Sequence, residues 1–292
     1  MRGSMTLLSL LAAGLLCACG GGGGGGGSGG GGDSGAKPLV VNSTADLASP
    51  PAGTVTLRSA LETATPGQPI TFAAALDGQT IELSLVADEH TLLKGEVMGI
   101  RNEPSGPVSY LVGYQDRDYG RSALVARKDV VIDASALPHG ITLAWVGGAQ
   151  PGARVLAVDG NLTLTHVRIT GGSSVTEKLA VSNPDDQPWT LGRGGALAVW
   201  GLATLRDCEL TGNQAIGDFD SSRDRGAFGG AIYADLVDIR SCVISGNTVI
   251  GGGAAGGGVY SVGGAGHSGT LSTIDRSAVT GNRIAGLFVY GG

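Results

Sequence analysis

Basic residues are scarce in this sequence, and charged residues of either sign are few. Lysine and arginine number 19 against 25 aspartates and glutamates, so the formal net charge is −6, and charged residues make up 15% of the 292 positions. Proteins that bind nucleic acid carry a concentrated basic patch. The composition therefore argues against a nucleic-acid partner and fits a secreted scaffold.

The chain's apolar N-terminal run is too short to cross a bilayer as a helix. It extends from Thr6 to Leu16, 11 residues, whereas a spanning helix needs about 20. Arg2 before it and Leu16-Cys17-Ala18-Cys19 at its end indicate a targeting segment. This end resembles the bacterial lipoprotein box, with Cys19 as the lipid-modified residue. An ordinary signal peptide is the alternative.

Familiar catalytic motifs are missing as well. The sequence has no Gly-x-Ser-x-Gly, no His-Glu-x-x-His and no phosphate-binding loop, and its four histidines are scattered at positions 90, 139, 166 and 267. Glycine is abundant, with 54 residues, but follows no Gly-X-Y period, which excludes a collagen helix. We therefore interpret the glycine runs as turns and as a linker.

What the sequence does contain is a repeat. Segments 162–172, 203–213, 237–247 and 272–282 align without gaps, and their first apolar column recurs after 41, 34 and 35 residues. The main columns are Leu164, Leu205, Ile239 and Ile274, then Ile169, Leu210, Ile244 and Val279, and finally Asn213, Asn247 and Asn282. A fixed period in this range is typical of repeat architectures.

The repeat unit has the pattern of strands. Apolar residues alternate with polar ones at Leu162 and Leu164 and again at Val167 and Ile169, and the longer step between the two pairs predicts a bend. Another short apolar run precedes each unit. One repeat thus holds about three short strands and no helical pattern. We expect an all-β fold, a parallel β-helix whose successive repeats stack about 4.8 Å apart.

The repeats also resemble known proteins. Gly194-Gly195-Ala196-Leu197 and Gly229-Gly230-Ala231-Ile232, with the hydroxyl-Gly-Asn steps that begin at Thr211, Ser245 and Thr280, resemble the repeats of polymorphic outer-membrane proteins. Residues 120–292 resemble the right-handed parallel β-helix proteins of the pectate-lyase-like superfold. That resemblance implies a fold and no single activity, because the superfold hosts lyases, hydrolases, adhesins and inert stalks.

Five segments follow from this pattern. Residues 1–19 are the signal peptide and lipobox, 20–37 a glycine-rich linker that cannot fold, 38–83 an N-terminal cap module, 84–121 a charged insertion, and 122–292 the β-helix repeats, with the last repeat incomplete. The charged insertion is either a functional loop or a solvated flap.

A short helix is expected within the cap module. Leu57, Ala60, Leu61 and Ala64 have helical spacing, and Pro66-Gly67 ends the pattern. The order of elements resembles the CSLREA module found at the head of secreted β-helices, although the core letters here, from Thr56 to Ala60, lack its cysteine. An open solenoid end must be covered, and we expect the helix to cover it.

Two insertions, Ser173 to Arg193 and Gln214 to Arg225, follow the same corner of successive repeats and should lie side by side. Their candidate ligand-binding residues are Asp185, Asp186, Trp189, Asp218, Asp220 and Asp224. The alternating oxygens that begin at Asp218 suit Ca²⁺, but an EF-hand's glycine and distant glutamate are missing. A plain polar loop is the alternative to a calcium or sugar site.

No catalytic residue is identified. Lyases of this fold resemble one another in grouping calcium-binding acids and a basic residue on one outward strand face. The outward columns here are Arg206, Arg240 and Asp275, and His166, Asp207, Ser241 and Arg276, so neither stacks acids. Glycosidases need clustered carboxylates, which only the insertions could supply.

Two hypotheses for function follow. The first is a lipid-anchored outer-membrane protein of the bacterial cell envelope, periplasmic or surface-exposed, that acts as a non-catalytic adhesin-like or glycan-binding module. Gly20 favours the outer membrane, because it is not the aspartate that resembles an inner-membrane retention signal. The second is a polysaccharide lyase or glycoside hydrolase that works from the loops.

The repeat pattern also leads to three structural expectations. The column of Asn213, Asn247 and Asn282 should form a structural ladder, with no catalytic role. Cys208 and Cys242 share an inward column and should remain buried thiols, since their Cβ vectors run parallel. A disulfide between them is the alternative, because the expected compartment is oxidising. Phe288 should join the column of Leu197, Ile232 and Val259, and the uncovered last repeat implies a truncated reading frame or a covering partner.

Overall fold

Strands dominate the part of the chain that the structure describes. A computed structural model describes residues 36–88, 91–118, 120–148, 152–175, 192–217, 226–263 and 271–290, with backbone alone in 92–103 and 108–118 and at 288 and 290. All of these residues fall within one unit, Ser34–Gly292. The described residues contain one α-helix, and no helix among them is long and apolar enough to cross a membrane.

The helices and strands follow one another in this order from the N-terminus. They are β1 Leu39–Val41, α1 Leu57–Thr63, β2 Pro69–Phe72, a 3-10 turn Ala74–Leu76, β3 Thr80–Leu83, β4 Leu92–Glu103, β5 Gly106–Asp118, β6 Ser122–Ala126, β7 Val130–Asp133, β8 Ile141–Trp145, β9 Arg154–Val158, β10 Leu162–Thr165, β11 Val167–Thr170 and β12 Ser173–Val175. The later ones are β13 Gly192–Arg193, β14 Leu197–Arg206, β15 Glu209–Thr211, β16 Gln214–Ile216, β17 Ala227–Phe228, β18 Ile232–Arg240, β19 Val243–Ser245, β20 Thr248–Ala255, β21 Val259–Ser261, β22 Thr273–Asp275, β23 Ala278–Thr280 and β24 Arg283–Tyr290.

Apart from β4 and β5, the described strands form three parallel sheets. The first sheet has the order β1-β2-β7-β10-β14-β18-β21; in addition, β6 pairs with β9, β9 pairs with β14, and β22 pairs with β18. The second sheet has the order β3-β8-β11-β15-β19-β23. The third has the order β12-β16-β20-β17-β13, and β24 pairs with β20. Within the repeats, each strand pairs with its equivalent one repeat further along the chain. The fold is therefore all-β and built mainly from parallel sheets.

The strand register confirms the ungapped alignment of the repeats. Leu164 pairs with Leu205, Leu205 with Ile239, and Ile239 with Ile274. The second apolar column follows the same rule in the second sheet. Leu164, Leu205 and Ile239 are fully buried, so the columns form the hydrophobic core between the sheets.

The bend expected between residues 164 and 167 is present in each repeat. His166, Asp207, Ser241 and Arg276 all have positive φ angles, from 47° to 58°. A left-handed residue reverses the alternation of side chains, since successive Cβ atoms otherwise point to opposite faces. Val167 and Cys208 consequently point back into the core and are buried.

Helix α1 forms where its spacing predicts. Thr56 and Ser59 form a capping box at its start, which satisfies backbone donors that would otherwise lack partners. Leu57, Ala60 and Leu61 are buried in the main core, and the helix contacts β1 and β6. Strand β6 is the first strand of its row in the first sheet, and the helix packs beside it. The capping role of the helix stays a prediction.

The charged stretch after β3 contains an antiparallel hairpin. Strands β4 and β5 pair along their whole length, with a register shift between Val97 and Met98. A bridge between Asp88 and Ser122 closes the base of this excursion. Both interpretations of this segment, a functional loop and a solvated flap, stay predictions.

The last repeat differs from the expectation in one respect. Phe288 lies on β24 and pairs with Gly253 in the third sheet, so its assignment to the column of Leu197 was wrong. Strand β20 continues through Gly251–Gly253, and β24 pairs with it in a constant register. Ile274 and Val279 are 49% and 43% exposed, although their column neighbours Ile239 and Ile244 are fully buried. The covering partner stays a prediction.

Candidate functional site

The two insertions leave the fold from adjacent positions. Strands β12 and β13 flank residues 176–191, and β16 and β17 flank residues 218–225. Because β12 pairs with β16 and β13 with β17, the bases of the two insertions lie side by side. The candidate ligand residues of the insertions lie outside the described residues: Asp185, Asp186, Trp189, Asp218, Asp220 and Asp224.

A sharp glycine corner follows each insertion. Gly194 and Gly229 have φ angles of +56° and +68°, and a Cβ on them would lie 1.8 and 1.9 Å from the carbonyl oxygens of Leu197 and Ile232. No side chain fits there, so glycine is required. The corner brings β13 and β17 of the third sheet against the start of β14 and β18 of the first.

Among the described residues, four aromatic side chains meet at this corner, and we call them the aromatic patch: Trp200, Phe228, Tyr233 and Tyr260. Tyr233 and Tyr260 pair one repeat apart and stack, with ring centroids 5.8 Å apart and ring planes 8° from parallel. The Phe228 ring lies 4.7 Å from that of Tyr260. Trp200, Phe228 and Tyr260 are half-buried, so the patch reaches the surface.

A β-bulge places Trp200 in the patch. The register of β14 against β18 shifts between Val199 and Leu202, so Trp200 and Gly201 together face Asp235. Bulges re-aim side chains and are frequent beside binding sites. The Trp200 ring centroid consequently lies 6.1 Å from that of Tyr233.

Two buried arginines, Arg193 and Arg154, contact the rings and the backbone of this corner. The Arg193 guanidinium lies 4.0 Å from the Phe228 ring centroid and 5.0 Å from that of Tyr233, a cation–π geometry that contributes up to about 2 kcal/mol when desolvated. Arg154 is fully buried and donates to the carbonyls of Arg193 and Gly194 and to the hydroxyls of Ser122 and Ser174. The patch therefore rests on a fixed backbone.

The asparagine column forms a hydrogen-bonded ladder. The Asn213 N–H donates to Asn247 Oδ1 at 2.9 Å, and the Asn247 N–H donates to Asn282 Oδ1 at 3.0 Å. Each Nδ2 also donates to a main-chain carbonyl of the preceding repeat. Asn213 and Asn247 are buried, so the ladder fastens successive repeats to one another.

Cys208 and Cys242 are free and buried, as expected. They also form a second ladder that sequence reasoning missed. The Cys208 N–H donates to Cys242 Sγ, and the Cys242 N–H donates to Ser277 Oγ. The hydrogen bond with Cys242 and burial raise the pKa of the Cys208 thiol well above its usual range.

Charged side chains on the outward faces of the sheets form ion pairs with one another. Arg168 and Glu209 form a surface pair at 3.4 Å. Asp238 accepts from Arg206, Arg240 and Thr273. Burial opposes ionisation of Asp238, but these hydrogen bonds outweigh it and hold its pKa below the usual value. Across the described residues, no three His, Cys, Asp or Glu side chains group closely enough to hold a metal ion.

The comparisons with protein-family models, curated proteins and solved structures find no match for this chain. The aromatic patch thus rests on the geometry of the chain alone. A sequence signal for part of it exists, because the runs 231–234 and 258–262 align Tyr233 with Tyr260. Trp200 has no such signal, since the bulge removes it from the register.

Proposed function

We propose that the chain is a right-handed parallel β-helix. Three parallel sheets, each advancing by one strand per repeat, support this proposal, as do the inward apolar columns and the two side-chain ladders. In such a solenoid, like residues stack on like residues. The lipid anchor at Cys19 and the outer-membrane location are part of the same proposal, and they rest on the sequence of residues 1–20.

The function that the geometry supports best is binding of a glycan without cleavage. The observation that carries it is the aromatic patch, an outward cluster of rings beside the bases of two insertions. Binding sites are lined mainly by apolar and aromatic side chains with a few polar groups. A pyranose ring presents a face of C–H groups that packs on an aromatic ring, while its hydroxyls reach polar groups around the edge.

A glycan screen with the full chain tests this function. We expect a glycan to bind and Trp200→Ala to weaken it about tenfold or more, because large aromatic contacts dominate binding energy. Trp200→Phe should retain most of the affinity. Val243→Ala, an exposed apolar truncation in the second sheet, is the matched control and should bind like the wild type.

Failure of every glycan to bind, or binding unaffected by Trp200→Ala, would contradict the proposal. The same incubations also test the polysaccharide lyase or hydrolase hypothesis. New reducing ends or unsaturated products would favour that hypothesis. Binding without products would favour a non-catalytic module.

A further inference from the structure

The bend between the first and second sheets carries a row of left-handed residues that begins with the earliest strands. Gly78 and Gly140 both have φ angles of +66°, and His166 and Asp207 follow with +58° and +51°. Strand β8 pairs with β3 and with β11, and β11 pairs with β15, so the four residues lie just before successive strands of the second sheet. We call these four residues the bend row.

Asp77 and His139, which precede the two glycines of the bend row, are joined by two hydrogen bonds. One Asp77 oxygen accepts the His139 N–H at 2.7 Å, and the other lies 2.7 Å from Nδ1 of the His139 ring. Arg168 donates to the His139 carbonyl and so also fixes this backbone. Hydrogen bonding of Nδ1–H to a carboxylate leaves the lone pair on Nε2, and the His139 side chain is 75% exposed. Nε2 of His139 is therefore available to a ligand.

The ring of His166 lies close to His139. A Cβ on Gly140 would be 3.2 Å from Cδ2 of His166, so this ring lies over the residue next to His139. The hydrogen bonds from His139 lower the pKa of Asp77, and the positive charge of either imidazole lowers it further. Both imidazoles therefore act on one carboxylate. Within the described part of the chain, the half-buried His166 ring makes no hydrogen bond.

The surface around the two imidazoles favours a cation. Asp77 lies one repeat before His139, and Asp207, which is exposed, lies one repeat after His166. Two arginines border the bend row, but each forms an ion pair with an acid of the following repeat: Arg168 with Glu209, and Arg206 with Asp238. Their positive charge is therefore offset by acids outside the bend row.

We propose that His139 and His166 together bind a divalent transition-metal ion, Cu²⁺ most tightly. Imidazole is a ligand of Zn²⁺, Ni²⁺ and Cu²⁺, and affinity at a given nitrogen site is highest for Cu²⁺. A carboxylate that accepts the other ring N–H orients a metal-binding histidine and raises its basicity, and Asp77 does this for His139. No three metal-binding side chains group together in the described residues, so water completes the coordination of an open site. This site does not depend on the proposed glycan binding.

Titration of the full chain with Cu²⁺, after alkylation of its accessible thiols, tests this proposal. We expect binding of an ion whose electron paramagnetic resonance spectrum shows two imidazole nitrogens. Asp77→Asn should weaken binding about tenfold or more, as loss of such a carboxylate typically does, and His139→Ala and His166→Ala should each weaken it further. His267→Ala removes an imidazole elsewhere in the sequence, so it is the matched control and should bind like the wild type.

The histidine variants decide the proposal. If only one of them weakens binding, the proposal is overturned, because the two imidazoles then do not share an ion. Binding that neither variant weakens, or no binding of Cu²⁺ at all, overturns it as well. Wild-type affinity in Asp77→Asn overturns the orienting role of Asp77. Equal unfolding midpoints of the variants exclude misfolding as the cause.

Discussion

Arg58 of helix α1 and Asp46 of the preceding segment form a buried ion pair. Their side chains are 7% and 2% exposed, and the closest N–O distance is 2.7 Å. Arg58 also donates to the carbonyls of Leu85 and Ala123, and Asp46 accepts from the N–H groups of Ser84 and Leu85. The pair therefore joins the helix to strand β6 and to the start of the charged excursion.

Replacing Arg58 by alanine should destabilise the protein strongly. The change leaves the Asp46 carboxylate buried and without its counter-charge, which typically costs about 3–5 kcal/mol. Arg168→Ala is the matched control, because Arg168 pairs with Glu209 at the surface and such pairs contribute about 1 kcal/mol or less. Chemical unfolding measures both, and equal losses would contradict a special role for Arg58.

The asparagine ladder should be more sensitive in its middle than at its end. Asn247→Ala removes the acceptor of the buried Asn213 N–H and should cost about 1–3 kcal/mol per group left unsatisfied. Asn282→Ala should cost less, because Asn282 is only partly buried and water can replace its oxygen. Unfolding midpoints of the two variants test the order. A larger loss of stability in Asn282→Ala than in Asn247→Ala would show that the end of the ladder contributes more than its middle.

The core of the fold could be predicted from the sequence because it is periodic. The columns that begin at Leu164 and Ile169, the bend at His166 and helix α1 all follow from regular spacing. Phe288 was misplaced because glycine-rich strands offer few apolar positions to align. Strand β24 pairs in parallel with β20, whose run of glycines, Gly251–Gly253, has no counterpart in the earlier repeats.

The candidate site could not be predicted in the same way. Trp200 enters the patch through a bulge, and a bulge breaks the period that sequence reasoning uses. Phe228 and Tyr260 come together only because the glycine corner folds one sheet against another. The Arg58–Asp46 pair could not be predicted either, because Asp46 lies in an irregular segment that has no periodicity.

The cysteine ladder should tolerate a hydroxyl better than a methyl group. Cys242→Ser keeps an acceptor for the Cys208 N–H, and Ser277 already has this role one repeat later. Cys242→Ala leaves that buried donor unsatisfied, at a cost of about 1–3 kcal/mol. Unfolding measurements should therefore find Cys242→Ala less stable than Cys242→Ser. The reverse rank would mean that the sulfur acts purely as an apolar group.

Acid should weaken the contribution of Asp238 to the stability of the fold. Its folded-state pKa is below the unfolded value of about 3.9, so its stabilisation is present above that pH and is lost as the pH falls through the folded pKa. The difference in unfolding free energy between wild type and Asp238→Asn should shrink from neutral pH to about pH 2.5. A difference that stays constant would show that the Arg206 and Arg240 contacts add nothing to the charged form.

The glycine corner should tolerate no side chain, for a reason separate from backbone strain. Gly229 and Gly246 have nearly equal φ angles, +68° and +65°, so alanine costs each about 1–2 kcal/mol of left-handed strain. A Cβ at Gly246 meets nothing within 4 Å, whereas one at Gly229 would lie 1.9 Å from the Ile232 carbonyl oxygen. Gly229→Ala should therefore destabilise the protein more than Gly246→Ala, and it should also weaken glycan binding because Phe228 and Tyr233 flank the corner. Equal unfolding midpoints for the two variants would mean that the corner relaxes, and the fixed geometry of the aromatic patch would then be wrong.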